Sequence, residues 1–429
     1  MENARFEIDD PGPDTDVDVD VVAAAVRAAW DDSDAGNRLD LHLARAEFAT
    51  RELARAAADQ MAAIADVLAD ARRHPEVYVV IADEPTARDV ELATSAAIAD
   101  IAMRLSISEG SVAMLAHRAE TLRARAPRMW AACRDGEVSA ANARHLADTL
   151  ESLPVQSESD GALDAAALEL AHLAPARFRE RVRVLRERLH PRDARERHRA
   201  AAEERTAWHE PGRDGMAWLG VHLTAPDAAA GWERIDGVAR HLAAQPGETR
   251  TLSQLRADAA ADILTGRTDP ATEPRVSLGV LVSVQTLLGV DDLPATLEGY
   301  GPIDADTARR LAAHAPSFHR ILTHPVSSTI LDVDRTTYRP PADLKRWLAL
   351  RDGTCRFPGC GRAAKHCDID HTVPWSRGGT TRAGNLAHLS RRHHTLKDET
   401  RWAVARDPDG RLEWTSPTGA VRTSDPPPF

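Results

Sequence analysis

Apolar residues recur every three or four positions through the first two hundred residues, and few turn residues interrupt them. The pattern starts near Val21 and continues through Leu53 and Met61 to Leu105. This spacing puts the apolar side chains on one face of an α-helix. Residues 21–200 are therefore predicted to form a largely helical domain.

Residues 1–20 do not share this pattern. They are acidic, contain prolines at Pro11 and Pro13, and have few large apolar side chains. Such a segment cannot bury enough apolar surface to offset the conformational entropy that ordering removes. We predict a disordered acidic tail.

One stretch of the helical region predicts a specific local shape. Residues 97–125 predict a helix, a turn at Ser106–Gly110 with Ser108 as N-cap, and a second helix with Arg118 and Arg123 facing outward. This arrangement resembles a helix-turn-helix, whose second helix enters a DNA groove. An ordinary αα-hairpin with solvated arginines fits the same pattern, so both interpretations stay open.

The pattern changes after residue 200. Periodicity two and β-branched residues replace the long helical pattern, which predicts a small α+β unit over residues 201–335. The predicted elements are strands at 205–209 and 216–223, helices at 227–244, 252–264 and 304–314, and an apolar β-branched run at 276–284.

The last region returns to short elements. Residues 367–371 alternate as a strand does, residues 374–379 form a loop, and residues 385–397 have helical periodicity with Leu386, Leu389 and Leu396 as the buried positions. This predicts a β-hairpin facing one helix. The fold class expected is α+β: a predominantly helical N-terminal region, a small α+β unit, and a C-terminal ββα domain at 336–405 followed by a tail at 406–429.

Charge is distributed unevenly along the chain. The net charge of −12 argues against a nucleic-acid partner, because phosphates attract clustered cationic groups. The segment from Arg335 to Arg401, however, contains fourteen Lys and Arg residues and six Asp and Glu residues, which gives it a formal charge of +8. The rest of the chain therefore has a formal charge of −20. The basic segment coincides with the predicted ββα domain, although a local drift in an arginine-rich chain would give the same count.

Four cysteines are too few for a disulfide framework in a chain of 429 residues. Cys355, Cys360 and Cys367 lie within thirteen residues, which indicates metal chemistry in a reducing compartment, whereas Cys133 is isolated and is expected in the core. The sequence shows neither a signal peptide nor a run of about eighteen apolar residues. A cytoplasmic protein with no membrane partner is expected.

The terminal region carries the groups that phosphodiester hydrolysis requires: a base for the nucleophile, a cation for the developing charge, and a rigid frame. Asp370 offers a hard oxygen ligand and His394 an imidazole, a set suited to Mg²⁺ or Mn²⁺. His371 is neutral often enough near pH 7 to act as base. Asn385 is placed to hydrogen-bond the hairpin loop and fix His371.

The order Asp-His, then Asn, then His-His-x-x-Lys resembles the HNH (ββα-metal) endonuclease family. In that family the histidine after the acidic residue is the general base, the asparagine holds the loop, and the acidic residue and the last histidine bind the catalytic cation. The resemblance implies that His371, Asn385 and His394 are catalytic residues, with Asp370 and His394 as ligands of Mg²⁺ or Mn²⁺. It covers roughly residues 345–402.

Upstream motifs extend the resemblance. The segments at 287–289, 299–302, 308–311 and 338–341 are similar to actinobacterial HNH proteins that have a long N-terminal domain of unknown function. This likeness implies no activity for the N-terminal part.

Zinc-stabilised members of the family carry a second ligand pair before the catalytic histidine, and Ser390 and His393 occupy the matching positions here. Serine is a poor zinc ligand, so Cys355, Cys360 and His393 remain. Either water, Cys367 or His388 completes a structural zinc site, or zinc binds weakly or not at all.

The function expected is that of a metal-dependent endonuclease acting on DNA. Arg377, Arg391, Arg392 and Lys397 are candidate phosphate contacts, with plain solvation equally open. Two alternatives remain: a catalytically weak or inactive nucleic-acid-binding module on the HNH fold, and a regulator that uses the helix-turn-helix-like segment. The oligomeric state is not predicted.

Overall fold

The computed structural model describes residues 34–154, 160–189, 194–265, 280–297, 300–313, 340–407 and 411–424. The predicted acidic tail at 1–20 and the first part of the β-branched run, 276–279, lie outside the described residues. Helices dominate the described part, and four small antiparallel sheets accompany them. The α+β class with a helical N-terminal region is therefore confirmed.

Eight helices precede the first strand in the described residues. They are α1 (Asp34–Arg73), α2 (Ala87–Leu105), α3 (Glu109–Arg125), α4 (Pro127–Arg134), α5 (Ala140–Glu151), α6 (Asp160–Glu169), α7 (Pro175–Leu189) and α8 (Ala194–Glu203). α2 begins with a capping box, in which Thr86 and Asp89 satisfy each other's backbone N–H groups. Its C-cap is Ser106, whose φ of 56° is left-handed and turns the chain toward α3.

The predicted turn with its Ser108 cap is present, since the Ser108 hydroxyl accepts a hydrogen bond from the Ser111 amide at 3.0 Å. The outward orientation predicted for Arg118 is wrong. Its guanidinium binds both carboxylate oxygens of Asp148 on α5, at 2.6 and 2.8 Å, and only 15% of its side chain is exposed. Arg123 lies over the ring of Trp130 at 5.6 Å. α3 thus directs Arg118 at a neighbouring helix, as in an αα-hairpin.

Two compact units emerge from the contacts along the chain. Of the described residues, one unit takes those within 34–62 and 118–189, and the other takes those within 63–117 and 194–424. The core of the first unit is formed by large side chains that are fully buried, among them Leu122, Met129, Leu146, Leu163 and Phe178.

The second unit contains the α+β elements. They are β1 (Thr206–Pro211), β2 (Ala217–His222), α9 (Ala225–Ala243), α10 (Leu252–Thr265), β3 (Val280–Leu281), α11 (Val284–Leu287), β4 (Ala295–Leu297), β5 (Gly301–Ile303) and α12 (Ala305–Ala313). β1 and β2 form an antiparallel pair, and β4 lies between β3 and β5. The predicted hairpin and helices are therefore present within a residue or two of their predicted bounds.

The terminal elements are α13 (Ala342–Asp352), β6 (Asp368–His371), β7 (Leu386–Leu389), α14 (Arg391–Glu399), β8 (Ala403–Arg406), β9 (Leu412–Thr415) and β10 (Val421–Thr423). β6 and β7 pair antiparallel, and α14 follows directly, which gives a ββα arrangement. The helix predicted over 385–397 is wrong at its start, because residues 386–389 form β7. Leu386 packs against Leu344 and Leu348 of α13, which buries this strand.

Residues 403–423, most of which the sequence placed in a terminal tail, carry a three-stranded sheet with β9 in the centre. Trp402 and Trp414 pack edge-on against Phe357, with ring centroids 5.4 and 5.0 Å apart. The Trp402 indole N–H donates to the carbonyl of Ala96 on α2. The terminal elements are thereby anchored to α2 within the second unit.

Across the described part of the chain, no helix combines the length and the apolar character that crossing a bilayer requires.

Candidate functional site

The ββα frame sets the positions of the functional side chains. In the β6–β7 pairing, Asp370 lies opposite Ala387 and His371 opposite Leu386. Ser390 ends the strand and caps α14, because its hydroxyl accepts a hydrogen bond from the His393 amide at 3.3 Å. α14 therefore starts immediately beside the end of β7 and directs its first turns at β6.

A first cluster forms between β6 and α14. His394 Nε2 lies 3.4 Å from Asp370 Oδ1 and 3.2 Å from Asp398 Oδ2. The three donor atoms all lie within 4.8 Å of one another. Two carboxylates and one imidazole are a donor set that fits Mg²⁺ or Mn²⁺. Asp398 is absent from the sequence prediction, although its i,i+4 spacing from His394 was a usable signal.

The second nitrogen of His394 has its own partner. Nδ1 lies 3.2 Å from Asp368 Oδ2, and Arg391 lies 3.3 Å from the same carboxylate oxygen. The hydrogen bond with Asp370, reinforced by Asp368, raises the pKa of His394 to about 9. A cation that binds His394 must therefore displace a proton from it at neutral pH.

Lys397 also contacts Asp370. Its ammonium lies 2.5 Å from Asp370 Oδ2 and 2.7 Å from the carbonyl oxygen of His371, and only 7% of the side chain is exposed. Burial would raise the pKa of Asp370, but hydrogen bonds from His394 and Lys397 lower it, so this carboxyl is ionised. Lys397, a candidate phosphate contact by sequence, thus has an internal partner.

His371, the candidate base, is buried. Its Nε2 lies 3.1 Å from the Thr381 hydroxyl, and its ring meets the edge of Trp375 with centroids 5.9 Å apart. Burial lowers the pKa of His371, which keeps the imidazole neutral and able to accept a proton near pH 7.

Asn385 holds the loop between β6 and β7. Its side-chain oxygen accepts from the Val373 amide at 2.8 Å, and its side-chain nitrogen donates to the carbonyls of Val373 and Thr380 at 3.1 and 3.0 Å. Three hydrogen bonds from one side chain fix the backbone that follows His371.

A second cluster joins Cys355, Cys360 and His393, whose donor atoms all lie within 4.8 Å. His393 Nδ1 is 3.3 Å from Cys355 Sγ, and the ring stacks on Phe357 at 3.9 Å. Interaction with Cys355 raises the pKa of the Cys360 thiol to about 12, whereas the pKa of Cys355 is lowered by the same contact. Two sulfurs and one imidazole suit Zn²⁺.

The two side chains considered by sequence as a fourth ligand, Cys367 and His388, are engaged elsewhere. Ser390, which the sequence analysis set aside as a poor ligand, caps α14, and its hydroxyl lies 2.9 Å from His393 Nδ1. Cys367 points at the carbonyls of Arg362 and Ala363. His388 Nδ1 lies 3.0 Å from Asp352 Oδ2. Within the described residues, the cluster therefore consists of three donors.

The candidate phosphate contacts differ in accessibility. Arg391 is 83% exposed and pairs with Asp368, and Arg377 is exposed on the loop after β6. Arg392 pairs with Glu109 at 2.5 Å. All three arginines are therefore exposed, and Arg391 and Arg392 each hold an ion pair.

A family model described as "Domain of unknown function (DUF222)" matches residues 48–352. The match ends just before Cys355, so it includes Asp352 but none of the metal-ligating candidates. No solved structure matches the chain.

Two relatives come from Mycobacterium tuberculosis (strain ATCC 25618 / H37Rv). The chain is 33% identical to "Uncharacterized protein Rv3776" over 259 residues, which is 51% of this chain and 48% of the relative. It is also 33% identical to "Uncharacterized protein Rv2100" over 211 residues, which is 47% of this chain and 36% of the relative. The matched regions thus span less than half the length of these relatives.

Proposed function

The chain belongs to the DUF222 family, and we propose that this member is a metal-dependent HNH endonuclease that hydrolyses phosphodiester bonds in DNA. The observation that carries the proposal is the meeting of Asp370, His394 and Asp398 within 4.8 Å at the end of the strand that also carries His371. Residues far apart in sequence thus form one cation-binding donor set next to a neutral base.

Each residue has a defined part in this reaction. His371 accepts the proton of the attacking water, and the Thr381 hydroxyl fixes the orientation of its ring. Asn385 holds the loop and thereby the base. Asp370 and His394 hold the catalytic cation, with Asp398 as a further ligand. A bound Mg²⁺ or Mn²⁺ supplies the Lewis acid that stabilises charge on the phosphate and on the leaving oxygen.

The basic terminal segment supplies the attraction for DNA. Its formal charge of +8 contrasts with the acidic remainder, and Arg377 and Arg391 are exposed to solvent. Phosphate contacts of this kind give affinity that falls steeply with salt. Cys355, Cys360 and His393 hold a structural Zn²⁺ that stabilises the start of α14.

The test is cleavage of supercoiled plasmid DNA by the full chain with Mg²⁺ or Mn²⁺. His371→Ala is expected to abolish cleavage while the far-ultraviolet circular dichroism spectrum is retained. His366→Ala removes an exposed histidine of the same region and serves as the matched control, which should cut normally. Unchanged cutting by His371→Ala would refute the assignment.

A second candidate is a nucleic-acid-binding module that uses the same fold with little or no turnover. The observation that favours it is the Lys397 ammonium, which already neutralises Asp370 at 2.5 Å. Salt-dependent DNA binding without cutting under any divalent ion would support this reading. Cleavage that appears when Lys397 is changed to Met would show that the ammonium suppresses turnover.

A further inference from the structure

His393 uses both of its ring nitrogens, and they face different chemistry. Nδ1 faces the sulfur of Cys355 at 3.3 Å and the hydroxyl of Ser390 at 2.9 Å. Nε2 lies 2.7 Å from the carboxylate Oε1 of Glu109, the first residue of α3. The imidazole itself is only 3% exposed. The ring is therefore held between the thiol pair on one side and a carboxylate on the other.

This contact selects one tautomer of the neutral ring. A carboxylate accepts hydrogen bonds and has no proton to donate, so His393 Nε2 must carry the hydrogen that points at Glu109. In the neutral imidazole, Nδ1 then keeps its lone pair, and that lone pair is aimed at the space beside the two cysteine sulfurs. This is the tautomer that a metal ion at Cys355 and Cys360 requires.

Glu109 is itself held in place. Its second oxygen, Oε2, pairs with Arg392 Nε at 2.5 Å, and only 20% of its side chain is exposed. Its place in the first turn of α3 puts its negative charge where the helix dipole favours it. Phe357 stacks on the ring of His393 at an interplanar angle of 11°, which prevents the imidazole from rotating.

The same arrangement occurs at the neighbouring histidine. His394 directs Nε2 at Asp370 and Asp398, and Nδ1 at Asp368. Each of the two histidines thus presents one nitrogen to a set of ligand atoms and the other to a carboxylate. Metal-bound histidines are commonly oriented in this way, because the carboxylate fixes the ring and makes it a stronger donor.

We propose that Glu109 is a positioning residue for zinc bound by Cys355, Cys360 and His393, so that the helical region contributes directly to this metal centre. The inference rests on the zinc part of the proposed function and not on DNA cleavage. Glu109 lies within residues 48–352, which the family model matches, whereas all three ligands follow that region. Because the described residues supply three protein donors, the affinity of the site for zinc depends strongly on the orientation of His393.

The experiment measures zinc affinity of the full chain by competition with a chromophoric chelator, at a temperature where every variant is folded. Glu109→Gln keeps the size of the side chain and removes its charge, and Glu109→Ala removes the contact. Loss of such a carboxylate is expected to weaken zinc binding roughly 10- to 100-fold. Glu76→Gln is the matched control, because Glu76 forms an exposed pair with His74 at 3.3 Å.

Thermal unfolding with and without zinc separates positioning from a merely structural role. A positioning role reduces the rise in Tm that zinc produces, whereas a structural role lowers Tm equally in both states and leaves zinc affinity unchanged. Equal zinc affinity in Glu109→Gln and in the wild-type chain, with zinc lost in His393→Ala, would overturn the inference alone. Absence of zinc binding in the wild-type chain would overturn it together with the zinc assignment. Absence of DNA cleavage by a zinc-binding chain counts only against the nuclease.

Discussion

His393 and His394 are adjacent, yet they belong to different clusters. Successive residues on a helix point about 100° apart, so neighbouring side chains on α14 reach different surroundings. His393 meets the cysteine sulfurs, and His394 meets the carboxylates of Asp370 and Asp398. Two adjacent residues of one helix therefore contact different ligand atoms, soft sulfur for His393 and hard oxygen for His394. Each donor set selects its own ion.

Asp398 provides a residue-scale test of the first cluster. Asp398→Asn keeps the shape and removes the charge of a carboxylate 3.2 Å from His394 Nε2. We expect Mn²⁺ binding to weaken about tenfold, which corresponds to about 1.4 kcal/mol. Calorimetric titration with Mn²⁺ measures the change. Glu399→Gln, which alters the adjacent carboxylate that pairs with Arg88, is the control and should bind Mn²⁺ normally. Equal affinity in both variants would remove Asp398 from the ligand set.

Asp352 connects α13 to β7 through charge. It is 3% exposed and accepts hydrogen bonds from the His388 amide at 2.9 Å, His388 Nδ1 at 3.0 Å and Arg351 at 2.7 Å. Burial would raise the pKa of Asp352, but the hydrogen bonds from His388 and the charge of Arg351 lower it. The ionised carboxylate therefore stabilises the folded state above its unfolded pKa, about 3.9.

We expect Asp352→Asn to lower the free energy of unfolding at pH 7 by about 3 kcal/mol, because it leaves buried donors without their charged partner. As the pH falls below about 4, protons bind first to the carboxyl of the unfolded chain, so the stabilisation by Asp352 declines, and it is lost once the pH passes below the lowered pKa of the folded state. The difference in Tm between the two proteins should therefore narrow as the pH falls below about 4. Thermal unfolding from pH 7 to about pH 2.5 measures this, and a constant difference would contradict the assignment of charge to Asp352.

At the scale of elements, the loop between β6 and β7 depends on a glycine. A Cβ atom on Gly379 would lie 1.9 Å from the carbonyl oxygen of Val373 and 2.9 Å from Asn385 Nδ2. Both neighbours belong to the hydrogen-bond bridge that Asn385 builds. The obstacle is backbone, which cannot move aside as a flexible side chain would.

Gly379→Ala is therefore expected to displace the loop and to disrupt the bridge made by Asn385. We expect DNA cleavage to fall at least tenfold, since misplacing a base by about 1 Å costs on the order of 100-fold. Gly384→Ala is the matched control, because a Cβ there meets nothing within 4 Å. Plasmid cleavage rates of the two variants decide the matter. Equal rates would show that the loop does not position His371.

The short terminal elements show how far the sequence predicts this fold. Leu386, Leu389 and Leu396 were predicted to be buried, and each is at most 2% exposed. Their spacing of three and seven also fits a helix, so periodicity could not reveal that the first two belong to a strand. β7 is buried along its whole length, and the alternation that identifies an exposed strand is therefore absent.

At the scale of the whole molecule, the contacts that complete the site come from far along the chain. Glu109 and His393 are separated by 284 residues, and Arg401 donates its amide to Tyr78 at 2.7 Å. Local spacing brought out Asp370, His371, Asn385 and His394, because the pattern sits within one short region. No local signal pairs α3 with α14, since that contact arises only when the second unit packs.

This packing predicts that zinc stabilises more than its own ligands. Removing zinc with a chelator should speed amide hydrogen exchange in residues 355–360 and 388–394, which surround the cluster. Exchange should also rise roughly tenfold, or about 1.4 kcal/mol of local stability, in residues 95–109, because Glu109 and the Ser95 carbonyl bind α14 through His393 and Arg392.

Hydrogen exchange measured by mass spectrometry checks this prediction, with α5 in the other unit as the internal reference. The Cys355→Ser chain is the matched control, since a chain that lacks a zinc ligand should show no response to the chelator. If zinc also orders His393, the contact of 2.7 Å between His393 Nε2 and Glu109 carries that change to α3. A faster exchange confined to residues 355–360 would therefore mean that zinc orders the cysteine turn alone. A response that reaches 95–109 would make the helical region and the metal cluster one cooperative structure.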